Sequence, residues 1–173
     1  GTEFVLYDAG MSPEKAEKAS ADSVLPLRQE LCAVLYKQNV LYTRGPRKMT
    51  IILPSLMGGQ RKVLRPTKSG DESSIIERYK ANEADPDLIM MKNKSPKWND
   101  SANAYVLNFN GRVTRPSVKN FQLVDERDAE EVVVMQFGRV ETDDFTCDFR
   151  YPISPLQAFG IALSSFDYKI ACE

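Results

Sequence analysis

The C-terminal stretch Tyr151–Phe166 reads YPISPLQAFGIALSSF and contains no charged residue, in a chain that is 27% charged. Ser154 suits the N-cap of a helix, Pro155 suits its first position, and Gln157 completes a capping box. The following residues are apolar or small on every side, so the helix must be buried all round or lie in a membrane. It is too short to span a bilayer, because that requires about 20 apolar residues. We therefore expect a helix enclosed by β-structure.

The rest of the chain consists mainly of short β-rich segments. We predict strands over 4–7, 27–36, 48–53, 87–91, 104–112, 117–124, 131–140 and 145–151. The segment 27–36 alternates with a period of two, although the same residues could also form a helix. Gly45-Pro46 and Gly58-Gly59 predict a turn and a hairpin loop. Such closely spaced strands favour an antiparallel barrel or sandwich in one domain over residues 1–173.

Two further segments complete the prediction. Residues 11–23 are polar and small, and we interpret them as a surface loop with at most one helical turn. Residues 71–82 are predicted to form a second helix, because the first turn is acidic and Ile75, Ile76 and Tyr79 form an apolar stripe. We interpret that stripe as core packing.

Composition limits the possible chemistry. The chain of 173 residues has a formal net charge of −1, so as a whole it is not a basic nucleic-acid binder. It contains no histidine, which excludes Ser-His-Asp and Cys-His catalysis and the usual zinc sites. Asp143 and Asp144 could hold a metal or act as acid and base, but neighbours on a strand point to opposite faces. Cys32, Cys147 and Cys172 lack a C-x-x-C spacing and are predicted to be free thiols. We expect no enzyme, no metal and no cofactor.

The near-neutral total hides a segregation of charge. Acidic residues concentrate at 125–131 and 141–148, whereas the basic residues form three clusters: Arg44, Arg47 and Lys48; Arg61, Lys62, Arg65 and Lys68; and Lys92, Lys94 and Lys97. Each cluster is either a set of solvated loop charges or part of a cationic patch for phosphate groups. Arg28, between apolar neighbours on a predicted strand, favours a shaped site. An anionic membrane would attract each such cation by about 1 kcal/mol.

Several motifs together are specific. They are LRQEL (27–31), NVL (39–41), GPRKM (45–49), WND (98–100), NFNGRVTRPSVKNFQ (108–122), VMQFGRV (134–140) and the ending YPISPLQAFGIALSSFDYKIACE (151–173). In this order they resemble the C-terminal domain of the tubby family, in its animal form. The resemblance implies a closed barrel of antiparallel strands around a central hydrophobic helix, here Ser154–Phe166. It also implies that the first strands of the barrel lie upstream of these residues.

The resemblance further implies a function. Tubby proteins bind phosphoinositides, chiefly phosphatidylinositol 4,5-bisphosphate, as monomeric adaptors at the cytoplasmic face of the plasma membrane. They serve ciliary trafficking of membrane receptors, for which an N-terminal segment engages the ciliary transport machinery. The arginine of LRQEL matches Arg28, and the basic GPRK turn supplies Arg47 and Lys48 as further phosphoinositide-binding candidates. A Lys-x-Arg pair that the family also uses is absent from these residues.

Two departures from the family pattern and one alternative function remain. Arg115-Pro116 and Ser154-Pro155 replace small residue pairs of the family, and the second change improves helix capping.

The alternative function is a DNA-binding transcription regulator that is released from the membrane into the nucleus. No predicted helix carries an Arg, Asn and Gln face suited to reading bases, which disfavours specific DNA binding.

Overall fold

The computed structural model describes residues 2–19, 25–37, 48–101 and 103–167. The described chain is mainly β, with short strands interrupted by three helices. The strands are β1 (Glu3–Tyr7), β2 (Glu30–Tyr36), β3 (Met49–Pro54), β4 (Leu56–Met57), β5 (Gln60–Arg61), β6 (Leu88–Asn93), β7 (Lys97–Asn99), β8 (Ala104–Val106), β9 (Phe121–Asp125), β10 (Val133–Arg139) and β11 (Phe145–Phe149). The helices are α1 (Pro13–Ala16), α2 (Ile75–Ala81) and α3 (Pro155–Ser164).

The chain divides into two compact units. The first unit comprises Glu3–Val34 and Ile51–Met90, and the second comprises the described residues of Gly1–Thr2, Leu35–Thr50 and Met91–Glu173. In the first unit the strand order is β1-β2-β3-β6, beside α1 and α2. Its core is aliphatic and contains Ile51, Ile52, Leu53, Ile75 and Leu88, all at 0% exposure.

The second unit has its own antiparallel order, β6-β9-β10-β11. Phe137 on β10 lies opposite Phe121 on β9 and opposite Cys147 on β11. The Phe137 ring is stacked on Phe145, with centroids 5.2 Å apart, and meets Phe166 edge-on at 6.0 Å. These aromatic contacts join the strands to the residues that follow α3.

Helix α3 begins where the sequence predicts. Ser154 is the N-cap, its hydroxyl accepts from the Gln157 backbone N–H, and the Gln157 side chain accepts from the Ser154 N–H at 3.0 Å. Pro155 occupies the first turn, and Ser165 is the C-cap. The capping box prediction is confirmed.

We expected α3 to be enclosed on every side, but the described residues do not surround it. One face is buried and carries Gln157, Ala158, Ile161 and Ala162. The opposite face leaves Phe159 65%, Leu163 57% and Leu156 51% exposed. The described strands of the second unit cover only one side of the helix, so an apolar stripe remains on the other. A closed barrel is therefore not seen in this part of the chain.

Other elements differ from their predicted bounds because of local hydrogen bonds, or match them. Helix α2 starts at Ile75, later than predicted, because Ser74 accepts from the Glu77 N–H at 3.3 Å and acts as the N-cap. Ile75 is fully buried and the rest of the predicted stripe is half-buried. The predicted loop at 11–23 holds the four-residue helix α1 in its described part. The hairpin loop is confirmed, with positive φ at Gly58 and Gly59 between β4 and β5.

The segment predicted as strand 27–36 forms a strand only from Glu30 onward. The helical alternative for these residues is wrong. None of the helices in the described ranges is long and apolar enough to cross a membrane.

Candidate functional site

The backbone around Arg28 is held by the loop that follows β1. The Arg28 N–H donates to the Met11 carbonyl at 2.9 Å, and the Met11 N–H donates to Pro26 at 2.8 Å. Asp8 accepts from the backbone N–H groups of Gln29 and Gly10 at 2.8 and 2.9 Å. These bonds fix Arg28 just before β2, not within a strand as predicted.

Gly10 is required at this crossing. A Cβ atom at position 10 would lie 2.4 Å from the Arg28 Cα and 2.6 Å from its backbone nitrogen. Real Cβ atoms essentially never approach backbone so closely, so any larger residue at position 10 must push the backbone segments around residues 10 and 28 apart. The position of Arg28 therefore depends on a glycine in the preceding loop.

The Arg28 side chain lies on an aromatic ring. Its guanidinium carbon is 3.7 Å from the centroid of the Tyr7 ring, a cation–π contact. Its Nε–H is buried and has no acceptor among the described residues. A buried donor without a partner is uncommon in proteins, and a bound ligand is one explanation for it.

Glu30 connects this arginine to helix α2. Its carboxylate is only 4% exposed and accepts the Ile75 N–H at 2.6 Å. Burial raises the pKa of Glu30, and the Ile75 hydrogen bond and the charge of Arg28 oppose that rise. Burial also raises the pKa of Tyr7, with the negative charge of Glu30 as the next cause. Arg28, Tyr7 and Glu30 thus form one electrostatically connected group.

A cavity of about 260 Å³ opens beside this group within the first unit. Its lining is mainly polar and also includes four apolar residues, Val5, Pro13, Pro66 and Ile76. The polar and charged side chains that line it are Glu3, Tyr7, Glu14, Arg28, Glu30, Lys68, Ser69, Ser74 and Glu77. Pockets for small organic ligands usually measure about 300–1,000 Å³, so this cavity is slightly smaller than that range. It suits a compact polar group.

The loop 67–70 forms one wall of the cavity and is organised by Asp71. The Asp71 carboxylate accepts from the N–H and hydroxyl groups of Thr67 and Ser73, at 2.7–2.9 Å. These donors hold the pKa of Asp71 well below its usual range. Gly70 has a φ of +69°, a conformation that glycine adopts without strain. Lys68 is carried on this loop and makes no hydrogen bond or ion pair with any described residue.

The other predicted cations are mostly engaged elsewhere. Lys62 pairs with Asp87, a carboxylate that also accepts a hydrogen bond from Arg78. The remaining bonds go to backbone carbonyls: Arg61 to Pro54, Arg65 to Leu27 and Lys94 to Glu131. Among the described cations of the second predicted cluster, only Lys68 faces the cavity.

The two other predicted site residues are not joined to Arg28 by the described structure. Arg47 lies outside the described residues. Lys48 is exposed, and its carbonyl accepts from the Lys37 N–H at 2.9 Å in the second unit. Both stay predictions.

Sequence reasoning missed Tyr7 and Glu30 as members of the site, and it named Lys68 only as part of a basic cluster. Glu30 could have been found, because positions 28 and 30 of an extended segment point to the same side. Tyr7 and Lys68 come from distant parts of the sequence, and only the chain crossing at Gly10 and the turn at Gly70 bring them to Arg28.

The described residues offer little to redox or metal chemistry. They contain no group of His, Cys, Asp and Glu that could hold a metal ion. Cys32 and Cys147 are free thiols, as predicted, whereas Cys172 lies outside the described residues. Burial raises the pKa of Cys32 to about 12, so its thiol stays protonated at neutral pH.

Comparison with known proteins identifies the family. The Tub family model matches residues 1–168. Tubby protein homolog 1 of Caenorhabditis elegans is 49% identical over 179 residues, covering 100% of this chain and 40% of the relative. Tubby-related protein 1 of Homo sapiens is 48% identical over 174 residues, and tubby-related protein 3 of Mus musculus is 48% identical over 178. They too match 100% of this chain, which covers 31% and 36% of their lengths.

The chain therefore belongs to the Tub family, and the predicted resemblance is confirmed. It spans less than half of the length of these relatives.

Proposed function

We propose that this chain binds phosphoinositides, chiefly phosphatidylinositol 4,5-bisphosphate, and docks on the cytoplasmic face of the plasma membrane. The observation that carries the proposal is Arg28, which lines a polar cavity in a Tub family chain while its buried Nε–H lacks an acceptor. Arginine suits bidentate contacts to phosphate oxygens. Stacking on Tyr7 restricts the guanidinium to one orientation, which lowers the entropy lost on binding.

The role we propose is non-catalytic. A docked domain of this kind would act as an adaptor in ciliary trafficking of membrane receptors, with a segment outside these residues engaging the transport machinery. We propose that it acts as a monomer, and that Arg47 and Lys48 add cationic contacts at the membrane surface. Each such contact would be worth about 1 kcal/mol and would weaken with rising salt.

We also propose that strands outside these residues complete a closed barrel around α3. Support comes from the exposed stripe formed by Leu156, Phe159 and Leu163. Exposed apolar faces of this kind are usually covered by further structure. In such a barrel the helix would lie on the axis as scaffold, and ligand binding would be confined to the surface.

Sedimentation with vesicles tests the lipid proposal. Phosphatidylcholine vesicles containing phosphatidylinositol 4,5-bisphosphate are compared with pure phosphatidylcholine vesicles, using the unmodified chain and Arg28→Ala. Loss of a hydrogen bond to a charged group costs about 1.5–3 kcal/mol, which predicts binding about 10- to 100-fold weaker. Arg150→Ala is the matched control, because Arg150 is exposed and lies outside the cavity lining.

Equal binding by Arg28→Ala and Arg150→Ala would remove Arg28 from the site. The DNA-binding alternative is disfavoured by the size of the cavity, because about 260 Å³ suits a compact headgroup and not a duplex. A gel-shift series in rising salt separates the two functions, since binding without sequence preference that is lost at physiological salt argues against specific DNA reading.

A further inference from the structure

The cavity beside Arg28 carries an unusual balance of charge for a phosphate site. Its lining includes two cations, Arg28 and Lys68, and four carboxylates, Glu3, Glu14, Glu30 and Glu77. A surface that merely collects anions would exclude carboxylates, because like charges repel. A ligand that carries hydrogen-bond donors as well as phosphate groups would suit such a lining.

Three of the four carboxylates already have partners. Glu3 and Glu77 share the ammonium group of Lys80, at 3.3 and 3.5 Å. Glu30 accepts the Ile75 N–H at the start of α2. These three acids are thereby less available to a ligand than the fourth.

Glu14 differs from the other three. It is exposed and forms no ion pair with any of the described residues. Hydrogen bonds from its own backbone N–H and from Ser12 lower the pKa of its carboxyl, so Glu14 is an anionic acceptor at neutral pH. An ionised carboxylate can only accept hydrogen bonds, and a hydroxyl group of a ligand can donate one.

Lys68 is a second cation of the cavity and, unlike Arg28, its side chain is not held in place by any described neighbouring residue. Arg28 is fixed by its backbone bonds and by Tyr7, whereas Lys68 projects from the 67–70 loop without a partner among the described residues. A lysine ammonium acts as a point charge with rotatable donors, so it can follow a phosphate group whose position varies. The two cations could thus engage phosphate groups on one compact ligand.

We propose that the cavity binds both the phosphate groups and a hydroxyl group of a phosphorylated polyol. Lys68 is then a second phosphate contact beside Arg28, and Glu14 accepts a hydrogen bond from a ring hydroxyl. This inference rests on the proposed phosphoinositide binding and names the residues that would select the ring. A phosphate group without hydroxyl donors offers Glu14 no hydrogen bond and repels its negative charge. A phosphorylated inositol satisfies both kinds of side chain.

The experiment measures binding to two kinds of phosphatidylcholine vesicle, one containing phosphatidylinositol 4,5-bisphosphate and one containing phosphatidic acid at matched surface charge. Lys68→Ala should weaken binding to the inositol lipid about tenfold, the effect of one lost charge-assisted hydrogen bond. Lys37→Ala is the matched control, because Lys37 is an exposed lysine outside the cavity and outside the three predicted basic clusters. It should bind like the unmodified chain.

Glu14 is tested by two substitutions that separate acceptor from charge. Glu14→Gln keeps an acceptor oxygen and should retain the preference for the inositol lipid, whereas Glu14→Ala should lose it. If Glu14 only repels anions, both substitutions will strengthen binding to both lipids, and the inference is overturned. Thermal unfolding of each variant confirms that the fold is intact, as expected for exposed side chains.

Soluble competitors distinguish a lipid headgroup from a free ligand. Inositol 1,4,5-trisphosphate should displace the chain from vesicles, and the same concentration of inorganic phosphate should not. If the unmodified chain binds neither vesicle nor competitor, the proposed function fails and this inference fails with it. If Arg28→Ala loses binding while Lys68→Ala and Glu14→Ala bind like the unmodified chain, the proposed function stands and the inference is wrong. Binding to inositol 1,4,5-trisphosphate without vesicle binding would support the inference and contradict membrane docking.

Discussion

Truncation of Phe159 on α3 tests how the helix is packed. The residue is 65% exposed, so about a third of its surface is covered. Taking about 200 Å² for a phenylalanine, this corresponds to roughly 70 Å² and to about 1.8 kcal/mol at 25 cal/mol per Å². Phe159→Ala should therefore lower the free energy of unfolding by about 1–2 kcal/mol, measured by urea denaturation with circular dichroism.

Ile161, two residues further along the same helix, is the matched control. It is fully buried, and a buried isoleucine truncated to alanine costs about 2–5 kcal/mol, because the lost contacts leave a cavity. Ile161→Ala should therefore lower the free energy of unfolding by clearly more than Phe159→Ala does. A cost for Phe159→Ala equal to that of Ile161→Ala would refute the one-sided packing of α3.

The same substitution also tests barrel closure. In a longer protein that includes the residues upstream of Gly1, a closed barrel would bury Phe159, and the cost of Phe159→Ala should rise to about 3–5 kcal/mol. A cost that stays at the lower value in the longer protein would count against closure around α3.

Three further perturbations address the site and the thiols. Gly10→Ala should destabilise the chain by about 1–3 kcal/mol and weaken lipid binding, since the new Cβ must displace the Arg28 backbone. An unchanged melting temperature together with unchanged lipid binding would contradict this prediction. Burial raises the pKa of Glu30, so its stabilising contribution is present below the unfolded pKa and is lost as pH rises through the folded pKa. Glu30→Gln, which keeps an acceptor, should therefore reduce the loss of stability as the pH rises above the usual pKa of a glutamate, and an unchanged pH profile would argue against the buried carboxyl. Iodoacetamide should label exposed Cys147 before buried Cys32 in the native chain, and peptide mass spectrometry showing the reverse order would contradict the burial.

Local features of this chain were predictable from the sequence. The capping box at Ser154 and Gln157 depends on residues three apart, and the structure forms it as expected. The hairpin at Gly58-Gly59 likewise requires only local conformations. The helix predicted over 71–82 begins later in the structure, at Ile75. The loop engages Asp71 with Thr67 and Ser73, so Ser74 became the cap.

The composition of the site was less predictable. The resemblance singled out Arg28, and the structure places it in the lining of the cavity, but its neighbours depend on chain crossings that no periodicity encodes. Tyr7 reaches Arg28 because β1 pairs beside β2, and Lys68 reaches the cavity through a turn set by Asp71. Exposure of Phe159 likewise depends on which strands are present, and an apolar sequence cannot distinguish a covered face from an uncovered one.

The hydroxyl groups of Tyr36 and Ser164 form a buried hydrogen bond of 3.0 Å across 128 positions of the chain. A ribosome adds about 5–20 residues per second, so 128 residues take roughly 6–26 s to synthesise. During that interval the Tyr36 hydroxyl is on the nascent chain before its partner exists. The second unit consequently cannot complete its packing during translation until α3 leaves the ribosome. Strands made early must wait with their apolar faces uncovered, which makes this interval the period of greatest need for a chaperone.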